Sequence, residues 1–164
     1  MKVIVTGGLG QIGSHVTEML LERGDEVLVI DNLATGRKEH LNPHEKLTIK
    51  LGTISDLEFI NDIFLGFNAD IIVHTAASYK DPDDWYNDTL TNCVGAVNII
   101  QLAKQTNVKR IIYFQTALCY GLKPSEQPIT LQHNRNPEGS SYAISKTANE
   151  LYLELSGIDY VTFR

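Results

Sequence analysis

The first thirteen residues, Met1-Lys-Val-Ile-Val-Thr-Gly-Gly-Leu-Gly-Gln-Ile-Gly13, constrain this chain more than any other stretch. Val3, Ile4 and Val5 form the short apolar run of a strand buried on both faces. The run breaks at Thr6-Gly7-Gly8, and a helical pattern opens directly after it. Gly7, Gly10 and Gly13 are spaced for a tight strand-to-helix turn, close approach of a pyrophosphate to the backbone, and close helix–strand packing. The backbone N–H groups around Gln11 and Ile12 then open the helix without partners, and the helix dipole favours an anion there. A second apolar strand, Val27, Leu28, Val29 and Ile30, ends on Asp31. That carboxylate stands where the adenosine ribose hydroxyls of a dinucleotide need an acceptor. Glycine turn and strand-end acid together predict a dinucleotide site.

The rest of the chain repeats the alternation. Strand patterns at 47–51, 70–74, 110–115 and 159–163 are separated by helical patterns at 57–65, about 85–106 and 141–156. Six strands alternating with helices predict an α/β fold, a Rossmann-like doubly wound parallel sheet. Right-handed crossovers give the strand order 3-2-1-4-5-6. No repeat, linker or low-complexity stretch divides residues 1–164, which read as one domain. The longest irregular segment, residues 122–140, contains three prolines, and loops of that length are usually functional.

Hydrophobic residues make up 43% and charged residues 21%, the balance of a soluble globular protein. A net charge of −6 argues against general attraction to nucleic acid or acidic membranes. No apolar run is long enough to span a bilayer, and the N-terminus reads as the first strand, so the expected compartment is the cytoplasm. Cys93 and Cys119 read as small buried residues and not as a bridge, and no metal-ligand spacing is present.

Tyr142-Ala-Ile-Ser-Lys146 puts a phenol and an ammonium on one helix face. A tyrosine titrates near pH 10, and a neighbouring cation brings the phenolate into a useful range for a base. Thr116 closes the fifth strand, and ligands of open α/β sheets sit beyond strand C-termini, so its hydroxyl should face the cleft of Tyr142.

These residues, with Asp31-Asn-Leu-Ala-Thr-Gly36, His74-Thr-Ala-Ala77, Asn92-Cys-Val-Gly95 and Thr116-Ala-Leu-Cys-Tyr-Gly121, make the chain resemble the extended short-chain dehydrogenases/reductases of the nucleotide-sugar epimerase and dehydratase group. The resemblance implies NAD as cofactor and a nucleotide sugar, a UDP-sugar by preference, as substrate. It implies Asp31 and Asn32 on the adenosine ribose, Ile54 beside the adenine, Ala76 and Ala77 along the cofactor, Lys146 on the nicotinamide ribose, and Asn92 in the supporting network. Thr53 stands where the family commonly has Asp, which removes one adenine contact from the expectation.

In the implied 4-epimerase, Tyr142 takes the proton of the sugar 4-hydroxyl, and the 4-keto sugar turns over before it is reduced on its other face. A 4,6-dehydratase is the alternative within the family, but its relatives carry Asp-Glu after the Thr, where this chain has Ala117-Leu118. A second alternative is a cofactor-binding module without turnover, because relatives are about twice as long and build the nucleotide-sugar grip from chain beyond the sixth strand. The family further implies a homodimer through the helices near 84–106 and 141–156.

Overall fold

The computed structural model describes residues 1–124 and 126–164. Its centre is a six-stranded sheet in the order β3-β2-β1-β4-β5-β6. The strands are β1 (Lys2–Thr6), β2 (Glu26–Asp31), β3 (Leu47–Leu51), β4 (Ile71–His74), β5 (Arg110–Phe114) and β6 (Tyr160–Phe163). Every pairing is parallel, with Val3 opposite both Val27 and Ile71. β1 and β2 are buried almost throughout because crossovers cover both faces, which is why they read as continuous apolar runs. β3 and β6 form the edges and expose alternate side chains.

Helices α1 (Gln11–Glu22), α2 (Leu57–Phe67), α3 (Trp85–Asp88), α4 (Ala96–Gln105) and α5 (Ser141–Ser156) provide the layers. Two apolar cores result. One packs Ile4, Leu28, Ile72 and Ile111 under α2, α4 and α5, and includes Phe64, Ile99 and Leu153. The other sets Val3, Val5, Val27 and Val29 against Leu20 and Leu21 of α1. α2 starts at Asp56, whose carboxylate accepts from Phe59 N, and ends at Asn68 in the left-handed conformation.

The expected single helix over 85–106 is interrupted. Between α3 and α4 the residues Thr89–Gly95 are wound as a π-helix. The wider turn brings Asn92 inward against two other segments, at Ser78 and Ser145. Cys119 is buried as expected, but Cys93 rides on this π-helical stretch and is only half-buried; both are free thiols. Among the described residues no helix is long and apolar enough to cross a membrane.

Candidate active site

A cavity of about 600 Å³ opens along the C-terminal ends of β1, β2, β4 and β5. Its floor is the glycine turn. Gly7 has φ +71°, and a Cβ there would lie 2.7 Å from the Ala76 backbone. A Cβ on Gly13 would lie 2.2 Å from the Gly7 carbonyl oxygen, so α1 approaches β1 as closely as it does only without side chains. Gly10 is the N-cap of α1 and offers no side-chain acceptor. The first-turn N–H groups thus meet the cavity uncapped, with no acidic side chain in that turn. A diphosphate fits this donor set and this lack of bulk.

Asp31 is buried at the end of β2 and borders the cavity. Its Oδ2 accepts from Leu9 N at 3.0 Å and its Oδ1 from Leu33 N at 2.8 Å. The carboxylate therefore clamps the glycine turn, a task its strand-end position did not reveal, while each oxygen keeps a lone pair for a ribose hydroxyl. Asn32 and Ile54 also line the cavity, whereas Arg37 and Lys38 lie outside it and exposed. The 53–55 turn is held by Asn98 of α4, whose Nδ2 donates to Ile54 O at 3.1 Å and Ser55 O at 3.2 Å. Sequence reasoning passed over Asn98; a polar residue on the apolar stripe of α4 was the available signal.

Ala76 and Ala77 form the wall that follows β4, and Thr75 Oγ1 donates to Thr6 O at 2.7 Å. Asn92 stands behind this wall rather than in it. Its Oδ1 accepts from Ser78 N at 2.8 Å, and its Nδ2 donates to Ser78 O at 2.9 Å and Ser145 Oγ at 3.0 Å. It thus pins the 75–78 segment to α5 between Tyr142 and Lys146.

Tyr142 and Lys146 complete the far wall of the same cavity. Burial pushes the Tyr142 phenol above its ordinary value, and the neighbouring Thr116 side chain opposes that rise. Lys146 is 1% exposed, its Nζ 4.3 Å from the centre of the Tyr113 ring, and burial lowers it to about 7. The expected lowering of Tyr142 by a standing Lys146 charge is absent here, because burial weakens the charge that was to provide it. Beneath them His74 stacks on Tyr113 at 5.6 Å and is kept neutral by burial, with its pKa lowered to about 3. Thr116 does not border the cavity, and its Oγ1 accepts from Leu118 N at 3.2 Å. Tyr79, whose ring lies 6.2 Å from that of Tyr142, and Lys80 line the mouth and were not singled out from the sequence.

A parallel sheet with a bare glycine turn at one end of its cleft and a Tyr–Lys pair at the other defines a dinucleotide-binding domain of the short-chain dehydrogenase type. The chain belongs to the NAD dependent epimerase/dehydratase family, whose model matches residues 3–164. Among solved structures it is similar to the Bordetella bronchiseptica enzyme WbmH in complex with NAD+, with 64% identity and a TM-score of 0.97 over 99% of this chain and 55% of that one. WbmG of the same organism, in complex with NAD, is 43% identical with a TM-score of 0.96, covering 100% of this chain and 52% of that one. Among curated proteins, UDP-glucose 4-epimerase of Streptococcus mutans is 33% identical over 175 residues, which is 100% of this chain and 51% of the relative. The chain spans about half the length of the curated relatives it matches.

Proposed function

We propose that residues 1–164 are the NAD-binding domain of a nucleotide-sugar 4-epimerase. The observation that carries this reading is the presence of Tyr142 and Lys146 in the wall of the cavity that the glycine turn floors. Similarity to UDP-glucose 4-epimerases supports a UDP-sugar as substrate. Gly7, Gly10 and Gly13, with the backbone of Gln11 and Ile12, would hold the diphosphate; Asp31 and Asn32 the adenosine ribose; Ile54 the adenine; Ala76, Ala77 and Lys146 the nicotinamide half. Bound NAD⁺ supplies the hydride acceptor, later the donor, and a positive charge beside the phenol. Tyr142 accepts the proton of the sugar 4-hydroxyl and returns it after the keto sugar has turned, and Thr116 would steady the phenolate by donating a hydrogen bond to it. Asn92 acts from behind by fixing α5 against the 75–78 wall. Ala117 and Leu118 carry no proton-transfer group, which disfavours removal of water from the sugar.

The test is interconversion of UDP-glucose and UDP-galactose by the product of the open reading frame encoding this chain. The expected result is turnover that Tyr142→Phe lowers about 10²–10⁴-fold, the usual weight of a positioned acid–base group. NAD binding without turnover by the full-length product would replace the epimerase by a binding module. For the 164-residue chain alone, NAD binding with little or no turnover is expected. The sugar nucleotide lacks its remote grip there, and orientation is worth roughly 7–11 kcal/mol of a barrier.

Cofactor choice follows from Asp31. A 2′-phosphate would meet a buried carboxylate, and the exposed Arg37 and Lys38 do not border the cavity. NAD(H) should therefore bind at least tenfold more tightly than NADP(H) in a direct titration; equal affinities would remove this reading of Asp31.

Self-association is also part of the proposal. Trp85, Tyr86 and Val94 on one helical run, and Ile144, Leu151, Tyr152 and Leu155 on α5, are exposed apolar side chains. A second copy would cover them across a two-fold axis. Sedimentation should give twice the chain mass at micromolar concentration, and a monomer mass at every concentration would count against the dimer.

A further inference from the structure

One helical turn beyond Lys146, α5 carries a buried carboxylate that touches neither the cavity nor the Tyr–Lys pair. Glu150 is 1% exposed. Its Oε1 accepts from Arg164 Nη2, and its Oε2 accepts from Gln115 Nε2 at 3.0 Å and lies 3.4 Å from Arg135 Nη1. Burial pushes its carboxyl up, but the bonds from Arg164 and Gln115 and the two guanidinium charges outweigh it and hold it below the usual range. Each partner comes from a different segment: Gln115 from the end of β5, Arg135 from the 122–140 loop, Arg164 from beyond β6.

The Gln115 amide carries the consequence. Its Nε2 donates to Glu150 and, at 3.2 Å, to Lys146 O. Its Oε1 accepts from Thr116 N at 2.9 Å. The two ends of this amide cannot exchange, since a flipped amide would aim Oε1 at a carboxylate and a carbonyl and aim its NH₂ at an N–H. Glu150 and the Lys146 carbonyl together thus fix which atom faces Thr116, the residue read above as the partner of Tyr142.

We propose that Glu150 is a positioning residue: by polarising the Gln115 amide it fixes the Thr116 backbone and holds the Thr116 hydroxyl on the Tyr142 phenol. Through Arg135 it ties the 122–140 loop to the same point. The inference rests on the reading of Thr116 and Tyr142 as the proton-handling pair.

The test is the ¹³Cζ resonance of Tyr142 at pH 7 in the chain labelled at tyrosine, together with amide exchange at Thr116. Thr116→Val sets the resonance of a phenol that has lost its partner. Glu150→Gln and, should that variant fold poorly, Gln115→Met are expected to move Tyr142 most of the way to that position and to speed Thr116 exchange tenfold or more. Arg135→Ala, which spares the Gln115 bond, should leave both readouts near wild type. If Thr116→Val moves Tyr142 but neither Glu150→Gln nor Gln115→Met does, the positioning role is overturned and the Thr116–Tyr142 pair stands. A shift in Arg135→Ala as large as in Glu150→Gln also overturns it, because loosening of the loop would then be the cause. If Thr116→Val leaves Tyr142 unmoved, the pair itself is refuted and the role of Glu150 falls with it.

Discussion

Gly13→Ala should weaken NAD binding about a hundredfold or more, the equivalent of roughly 2.7 kcal/mol. The added Cβ meets the Gly7 carbonyl oxygen at 2.2 Å, Thr75 Oγ1 at 2.7 Å and the Gly7 carbonyl carbon at 2.8 Å. None of these can yield easily. Two are backbone atoms of the turn, and the third is tied to Thr6 O by its own hydrogen bond. Relief requires α1 to lift from β1, which turns its first N–H groups away from the diphosphate. Overpacking of this kind costs about 1–3 kcal/mol in the fold as well. Gly66→Ala is the control: nothing lies within 4 Å of the Cβ it would add, and helix propensity predicts a gain of about 0.5–1 kcal/mol. Titration with NADH by fluorescence, with circular dichroism to verify folding, measures both. Wild-type affinity in a folded Gly13→Ala chain would show that the close approach of α1 and β1 has no part in binding.

Lys146→Met should stabilise the chain in the absence of cofactor, with an effect that depends on pH. Burial lowers the folded pKa of Lys146 to about 7 from an ordinary 10.5. A lysine lowered on folding works against stability at low pH, the reverse of one that gains an anionic partner. Between those two values the unfolded chain holds the extra proton, so wild-type stability rises with pH across the window and the full penalty applies below about pH 7. Methionine has no proton to lose. The variant should therefore exceed wild type by on the order of 5 kcal/mol at pH 6–7, less the modest worth of the contact with the Tyr113 ring. The gap should narrow steadily toward pH 10. Urea unfolding at pH 6, 8 and 9.5 measures it, and a constant or negative difference would mean that the ammonium is well solvated where it lies. NAD affinity should fall in the same variant, the stability and the site being in direct opposition at this residue.

Much of this was legible in the chain because it depends on local chemistry. The apolar runs of β1 and β2, the glycine spacing, the acid ending β2 and the Tyr–Lys interval each follow from a repeat or an offset of a few residues. Handedness of the crossovers then ordered the sheet. What escaped depends on partners far away in sequence. The π-helical stretch at Thr89–Gly95 keeps an apolar spacing close to that of an ordinary helix, and its register shift appears only when Asn92 meets Ser78 and Ser145. Asn98 and Glu150 show no role in the sequence until the segments that they hold are known. Lys146 lines the same cavity as Tyr142, but its depth was not legible, and depth decides how much of its charge survives. Thr116 was expected to face the cleft and instead does not border it, since the backbone beyond β5 turns into a short 3₁₀ helix, Ala117–Tyr120.

The order of the strands also sets when the domain can come into being. β1 is made before the other five strands yet belongs in the middle, between β2 and β4, with Val3 waiting for Ile71. The glycine turn rests on Ala76, so its shape has no floor until residue 76 has been made. Every sheet contact joins distant parts of the chain, a topology that folds slowly because long loops must close before any contact repays them. The phosphate-binding turn therefore forms only once β4 and the residues just after it have been made. NAD can hold the finished domain together, but it cannot act as a template for it.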